Sequence, residues 1–86
     1  MKYLIISFRN RNSVYEFAQI MRHYGVFGTI INTPSSIGSS CTLSIKTDYE
    51  NLQNLRNLIS RNQISGFSGL YLVEKLPTHE QIKRIM

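Results

Sequence analysis

The amino-acid sequence predicts a single α+β domain whose elements follow the order β-α-β-β-α-β. The first observation is length, because 86 residues suit one domain and leave little room for a second. The second is composition, since 42% hydrophobic and 17% charged residues are usual for a folded protein and exclude intrinsic disorder. The third is the spacing of apolar residues, which switches between the period of a strand and that of a helix.

Changes in the spacing of apolar residues mark the first β-α-β unit. Residues Lys2–Phe8 are apolar on both faces and rich in β-branched and aromatic side chains, as in a central strand. A helical stripe follows, made of Val14, Phe17, Ala18, Met21 and Tyr24. Ser13 with Glu16 fits a capping box that begins this helix, and Gly25 suits the left-handed residue that ends it. Residues 27–32 then predict a second strand.

The second unit begins after a small, polar turn at 33–40. Residues 41–46 alternate between apolar and polar, which predicts a third strand. Thr47 with Glu50 forms another candidate capping box, so a second helix is expected to begin there. Residues 66–74 predict the fourth strand.

Two details complete the predicted domain. Gly69 indicates a bulge, or a site where another group approaches the backbone closely. Beyond a domain at 1–75, Thr78 and Gln81 suggest caps of a short C-terminal helix, so 76–86 is predicted to be a helical appendage.

This order is typical of the ferredoxin-like sandwich. Its antiparallel four-stranded sheet has the strand order fourth, first, third, second, and both helices cover one face. The other face is expected to stay open to solvent or to a partner. Three loops should then meet at one end of the sheet, at residues 9–12, 33–40 and 62–65.

The single cysteine, Cys41, is expected at that end, near Phe8 and Arg9. Because Arg9, Arg11 and the positive N-terminus of the first helix favour an anion, the pKa of the thiol should fall below that of a free cysteine. Hydroxyl donors surround it in the sequence: Thr33, Ser35, Ser36, Ser39 and Ser40. A small buried hydrophobic residue is the competing interpretation of a lone cysteine that opens a strand.

Other chemistry finds little support in the sequence. One cysteine excludes an internal disulfide and a multi-cysteine metal site. Neither His23 nor His79 has a partner at ligand spacing, so we expect no metal and no cofactor. The net charge of +5 is scattered along the chain, and the third strand lacks the aromatic residues of RNA-recognition modules, which disfavours nucleic-acid binding. Without a membrane-length apolar run or a signal-peptide pattern, the chain is expected to be cytoplasmic.

The segment Thr33–Leu43, TPSSIGSSCTL, resembles a small bacterial family of selenium/sulfur carrier-like proteins. The resemblance extends over most of the chain up to about Lys75, although only the Thr-Pro…Ser-Ser-Cys segment is specific. It implies that Cys41 carries sulfur or selenium as a persulfide-type adduct between donor and acceptor proteins. Family members usually have glycine after the cysteine, where this chain has Thr42.

Two functional hypotheses therefore stay open ahead of weak single-stranded nucleic-acid binding, which the sequence disfavours, and the sequence does not decide whether the chain is an enzyme. In the first, Cys41 is the acceptor thiolate of a carrier, Arg9 and Arg11 activate it, and Thr33, Pro34, Ser39 and Ser40 shape its loop. In the second, the chain is a non-catalytic module that binds a small anion or a protein, and its open sheet face is the candidate surface for a homodimer.

Overall fold

A computed structural model describes residues 1–38 and 42–86, which form an α+β fold. Its elements are β1 (Lys2–Phe8), α1 (Arg11–His23), β2 (Thr29–Asn32), β3 (Leu43–Asp48), α2 (Leu52–Asn62), β4 (Phe67–Lys75) and β5 (Glu80–Arg84). Single 3₁₀ turns at Ser35–Ile37 and Tyr49–Asn51 precede β3 and α2. Ser39, Ser40 and Cys41, the residues between the first turn and β3 on which the predicted thiol site is centred, lie outside the described residues.

The strands of the described chain form one sheet in the order β2-β3-β1-β4-β5, with antiparallel neighbours throughout. The first four strands have the predicted order. The expectation of a four-stranded sheet followed by a C-terminal helix is wrong, because β5 adds a fifth strand beside β4. A turn in which Leu76 N–H donates to the His79 carbonyl at 2.8 Å leads into β5.

The physical reason for β5 lies in the backbone of β4. A strand of nine residues leaves a row of N–H and C=O groups on its outer edge, and pairing with a following segment satisfies them. An isolated helix shorter than about 12 residues is marginal in water. The caps expected for that helix do not form, since the Thr78 hydroxyl instead contacts His79 Nδ1 at 3.0 Å.

Both helices pack on one face of the sheet, and the core lies between them and the central strands. Leu4, Ile6 and Phe8 point from β1 into this core, where they meet the side chains of both helices. The helix stripes contribute buried Val14, Phe17, Met21, Leu55 and Leu58. The alternate residues of β1, beginning with Tyr3 and Ile5, therefore belong to the opposite face of the sheet, which we call the open face.

The first helix begins earlier than the capping box predicted. Asn10 is its N-cap, and the side-chain oxygen of Asn10 accepts a hydrogen bond from Ser13 N–H at 2.9 Å. The predicted box of Ser13 and Glu16 is wrong, because Ser13 already lies inside the first turn. The C-terminal prediction is confirmed: Gly25 has a φ of 74°, and Val26 N–H donates to the Met21 carbonyl at 2.9 Å.

The second capping box is also wrong. Thr47 pairs with Leu4 inside the sheet, so β3 continues to Asp48 and α2 begins only at Leu52. The Thr47 hydroxyl donates to the Phe27 carbonyl at 2.5 Å and accepts from the Asn51 amide at 2.9 Å. This side chain therefore links β3 to the segment before β2 and to the turn before α2.

Gly69 is a close-approach site beside a bulge, as the sequence predicted. Ser7 pairs with Gly69 and Phe8 pairs with Phe67, so Ser68 is an extra residue in β4. A Cβ atom at Gly69 would lie 2.9 Å from the ring of Tyr71. The ring of Tyr71 therefore lies against the backbone of its own strand on the open face.

Candidate functional site

Three connections meet at one end of the sheet, which we call the loop end and define by residues 9–11, 33–38, 42 and 66. β1 and β2 both run antiparallel to β3, so both strands finish at this end. Arg9 N–H donates to the Gly66 carbonyl at 2.7 Å, which joins the loop after β1 to the start of β4. Thr33 N–H donates to the Thr42 carbonyl at 2.7 Å, which continues the β2–β3 ladder by one pair.

The loop after β1 brings positive charge to the loop end. Arg9 and Arg11 are both exposed and flank the N-cap residue Asn10. The first helical N–H groups of α1 point in the same direction, and they carry the partial positive charge of a helix N-terminus. No acidic residue lies in the first turn of α1 to offset this charge.

The loop after β2 is shaped by Thr33 and Pro34. The hydroxyls of Thr33 and Ser44 form a hydrogen bond of 2.6 Å across the β2–β3 pair. Pro34 is the residue before the 3₁₀ turn, and its carbonyl accepts from Ile37 N–H at 3.0 Å. Gly38 ends the turn with a φ of 66°, a left-handed conformation that suits glycine.

The register of the strands gives the distance across the loop end, between the backbones of Arg9 and Thr33. Ser44 of β3 pairs with Ser7 of β1 and with Ile31 of β2, so these three residues are level across the sheet. Arg9 and Thr33 each follow two residues later, on strands separated by two inter-strand spacings. Their backbones are therefore about 10 Å apart, with the line of β3 between them. Cys41 adjoins Thr42 in the sequence, but its distance from Arg9 stays a prediction.

Sequence reasoning did not identify two buried serines beside this end. Ser7 and Ser44 are both fully buried although they belong to the open face. The Ser7 hydroxyl donates to the Gly69 carbonyl at 3.4 Å, and Ser44 contacts Thr33. The alternation of residues 41–46 puts Ser44 on the polar face of the predicted third strand, which favours exposure, so the sequence contained no signal for its burial. The hydrogen bond between the Thr33 and Ser44 hydroxyls links β2 to β3 where the loop after β2 begins.

Gly66 was not singled out either, yet it fixes the start of α1 against β4. A Cβ atom at Gly66 would overlap the Ser13 hydroxyl and lie 2.6 Å from Ser13 Cβ. Ser13 is itself buried, so neither partner has room to move outward. Because of this close contact, the N-terminus of α1 is held at the loop end.

The two histidines lie away from the loop end. His23 is in the last turn of α1, and 13 helical residues place it about 20 Å from the start of that helix. His79 is in the turn before β5. Within residues 1–38 and 42–86, no three metal-ligating side chains form a group that could hold an ion. In the same residues, no helix is long and apolar enough to cross a membrane.

The described residues thus define a small α+β protein with an electropositive loop end, and its sequence contains a single cysteine. The sequence family described as "Putative Se/S carrier protein-like" matches residues 2–71, and the chain belongs to this family. The match runs from β1 into β4 and includes the segment 33–43. No curated protein and no solved structure matches the chain.

Proposed function

We propose that the protein is a selenium or sulfur carrier in which Cys41 accepts the chalcogen from one protein and delivers it to another. The observation that supports this proposal is the loop end, where Arg9, Arg11 and the N-terminus of α1 lie at the same end of the sheet as Thr42, the residue that follows Cys41 in the sequence. Membership of the carrier-like family supports the same function and implies protein partners.

The proposed step is an exchange that leaves the overall oxidation state unchanged. The Cys41 thiolate attacks the outer sulfur of a persulfide on a donor protein. A new S–S bond forms at Cys41, the S–S bond of the donor breaks, and the donor cysteine leaves as a thiolate. Delivery to an acceptor thiolate repeats the step in the other direction, and a selenium atom would replace the outer sulfur in the selenium case.

The residues of the loop end would assist this exchange in two ways. We expect positive charge from Arg9, Arg11 and the α1 N-terminus to lower the pKa of the Cys41 thiol, because each stabilises the thiolate. Thr33, Pro34, Ser39 and Ser40 would shape the loop, and the hydroxyls of Thr33, Ser39 and Ser40 would supply hydrogen-bond donors to the anion. A carrier that works through a free thiol needs a reducing compartment, so we propose the cytoplasm as its location.

The test is loading of the purified chain by a cysteine desulfurase with cysteine as the sulfur source. Intact-mass spectrometry should show the added mass of one sulfur atom on the wild type, and a reducing agent should remove it. The matched control is Cys41→Ser, which should gain no mass. If the wild type gains no sulfur, or if Cys41→Ser gains as much, the carrier proposal is rejected and the non-catalytic binding module becomes the better hypothesis.

A further inference from the structure

The two edges of the described sheet differ in charge. At one edge, β5 carries Glu80, Lys83 and Arg84 among its five residues, and charged side chains discourage an edge strand from pairing with another chain. At the other edge, β2 has the sequence Thr-Ile-Ile-Asn and carries no charge. The residues just before it, Phe27 and Gly28, are uncharged as well. The β2 edge therefore lacks the protection that β5 has.

Large apolar side chains are exposed at this same edge. Phe27 is 84% exposed and Ile30 is 38% exposed. By contrast, Ile5 and Val73 at the centre of the open face are each only 1% exposed. An interface that buries apolar surface therefore has more to gain at the β2 edge than at the centre of the open face.

Backbone hydrogen bonding leaves this edge ready to pair. Thr33 N–H donates to the Thr42 carbonyl, so Thr33 belongs to a hydrogen-bonded pair with the β3 side. In an antiparallel ladder such pairs alternate, which directs the backbone groups of Thr29 and Ile31 toward β3. The N–H and C=O groups of Ile30 and Asn32 consequently point outward from the sheet.

Grooves flank the edge on both faces. One, of about 370 Å³, lies on the helix side and is lined by residues that include Met21, Arg22, Ile30 and Ile45. The other, of about 460 Å³, is lined by Ile31, Lys46 and Asp48. Side chains of an added strand alternate between the two faces of a sheet, so both grooves would receive side chains from it.

We infer that the β2 edge is a homodimer interface, in which β2 pairs antiparallel with β2 of a second copy around a two-fold axis at Ile30. In this register Ile30 exchanges both backbone hydrogen bonds with its own counterpart, and Thr29 lies opposite Ile31. The strand is self-complementary, because its β-branched side chains are the kind that pack well on a neighbouring strand. The result is a continuous ten-stranded sheet.

Charge favours a second copy over a charged partner at this edge. Each chain carries +5, so a partner held by electrostatic attraction would need acidic groups facing basic ones. β2 itself carries no charge, so two identical strands pair without like charges on the strands themselves. Arg22 and Lys46, which line the flanking grooves, are the basic groups that a second copy brings near each other. Added salt should strengthen the dimer by screening the remaining repulsion between the two copies.

This dimer is independent of the carrier function. Thr33 lies three residues from the proposed axis, so the two Thr33 residues would be six strand residues, about 20 Å, apart. Each loop end therefore stays separate and keeps its own Cys41. The contact is short and smaller than the interfaces of stable complexes, which bury about 1,600 Å², so the dimer should dissociate on dilution.

Analytical ultracentrifugation of the full chain over a range of concentrations and salt tests the inference. We expect the wild type to shift from monomer to dimer as concentration rises, and Ile30→Lys to stay monomeric over the range in which the wild type is dimeric. Gln81→Lys places the same new charge on the β5 edge and should behave as the wild type. Circular dichroism checks that both variants are folded.

Amide hydrogen exchange provides a second readout that does not depend on a variant. The amide of Ile30 should exchange more slowly at concentrations where the dimer forms. A wild type that stays monomeric at every concentration overturns the inference, and leaves the edge to an extended segment of another protein. A dimer that survives Ile30→Lys and leaves the Ile30 amide unprotected overturns it too, and assigns dimerisation to another surface such as the open face.

Discussion

Tyr3 shows how a single side chain on the open face is fixed by its neighbours. The Lys46 ammonium lies 4.4 Å from the centroid of the Tyr3 ring, and Lys75 lies 5.9 Å from it. Such contacts between a cation and an aromatic face stabilise both groups. Burial, and to a lesser extent the negative charge of Glu80, raise the pKa of the Tyr3 phenol above 10.0.

This shift predicts how stability depends on alkaline pH. Well below pH 10 the phenol is neutral in both the folded and the unfolded chain, so its ionisation has no effect. Above that pH the unfolded chain ionises first, and stability is lost as pH rises through the folded pKa. Urea denaturation should therefore show a steeper fall in the free energy of unfolding for the wild type than for Tyr3→Phe.

Tyr3→Phe is an informative comparison because it keeps the ring beside Lys46 and removes only the ionisable hydroxyl. The other tyrosines and the lysines titrate in both proteins, so the difference between the two pH profiles isolates Tyr3. Parallel profiles from neutral pH to above pH 10 would contradict the assigned shift.

Single residues also explain where the sequence was misleading about the site. Thr47 and Glu50 match the capping-box pattern, but Thr47 is held in the sheet opposite Leu4. Ser44 was expected on an exposed face, yet its hydroxyl is buried against Thr33. In both cases a tertiary contact determined the role of a polar side chain, and a local pattern does not contain that contact.

At the level of elements, the start of α1 depends on Asn10. Its side-chain oxygen accepts a hydrogen bond from Ser13 N–H at 2.9 Å. This N–H group has no acceptor within the helix, because it lies in the first turn. Asn10→Ala should therefore lower the free energy of unfolding by about 1 kcal/mol, the usual loss for an N-cap. Chemical denaturation measures this change.

The control for this prediction is Asn12→Ala, an exposed position inside the first turn of the same helix. It removes the same kind of side chain without removing the cap, so its effect should be a few tenths of a kcal/mol at most. Equal losses for the two variants would show that the Asn10 side chain is not the cap on which the helix depends.

Elements with long, clear periodicity could be predicted from the sequence, and short ones could not. β1 has the predicted bounds because Lys2–Phe8 contains four consecutive apolar residues, Tyr3–Ile6, and ends in Phe8. Residues 80–84 contain too few apolar positions to distinguish the period of a helix from that of a strand. Residues 80–84 form a strand because they pair with the outer edge of β4, and that edge exists only once the sheet has formed.

For the whole molecule, topology was the part that the sequence predicted best. Two β-α-β units with short connections leave few arrangements, and the order of the first four strands follows from them. The meeting of the loops at one end could be inferred from that order, and the Arg9–Gly66 hydrogen bond agrees with it. The environment of Cys41 could not be derived in this way, because a thiol can be buried or reactive on the same strand.

The central claim is that the loop end makes Cys41 a reactive thiol, and the pH dependence of its alkylation tests this claim most directly. We predict a midpoint below about 8.5, the value of a free thiol, and a midpoint that rises when Arg9 and Arg11 are both changed to glutamine. Arg22→Gln, near the opposite end of α1, should leave it unchanged. Slow labelling of the wild type at every pH, or a midpoint at or above that of a free thiol, would contradict the account.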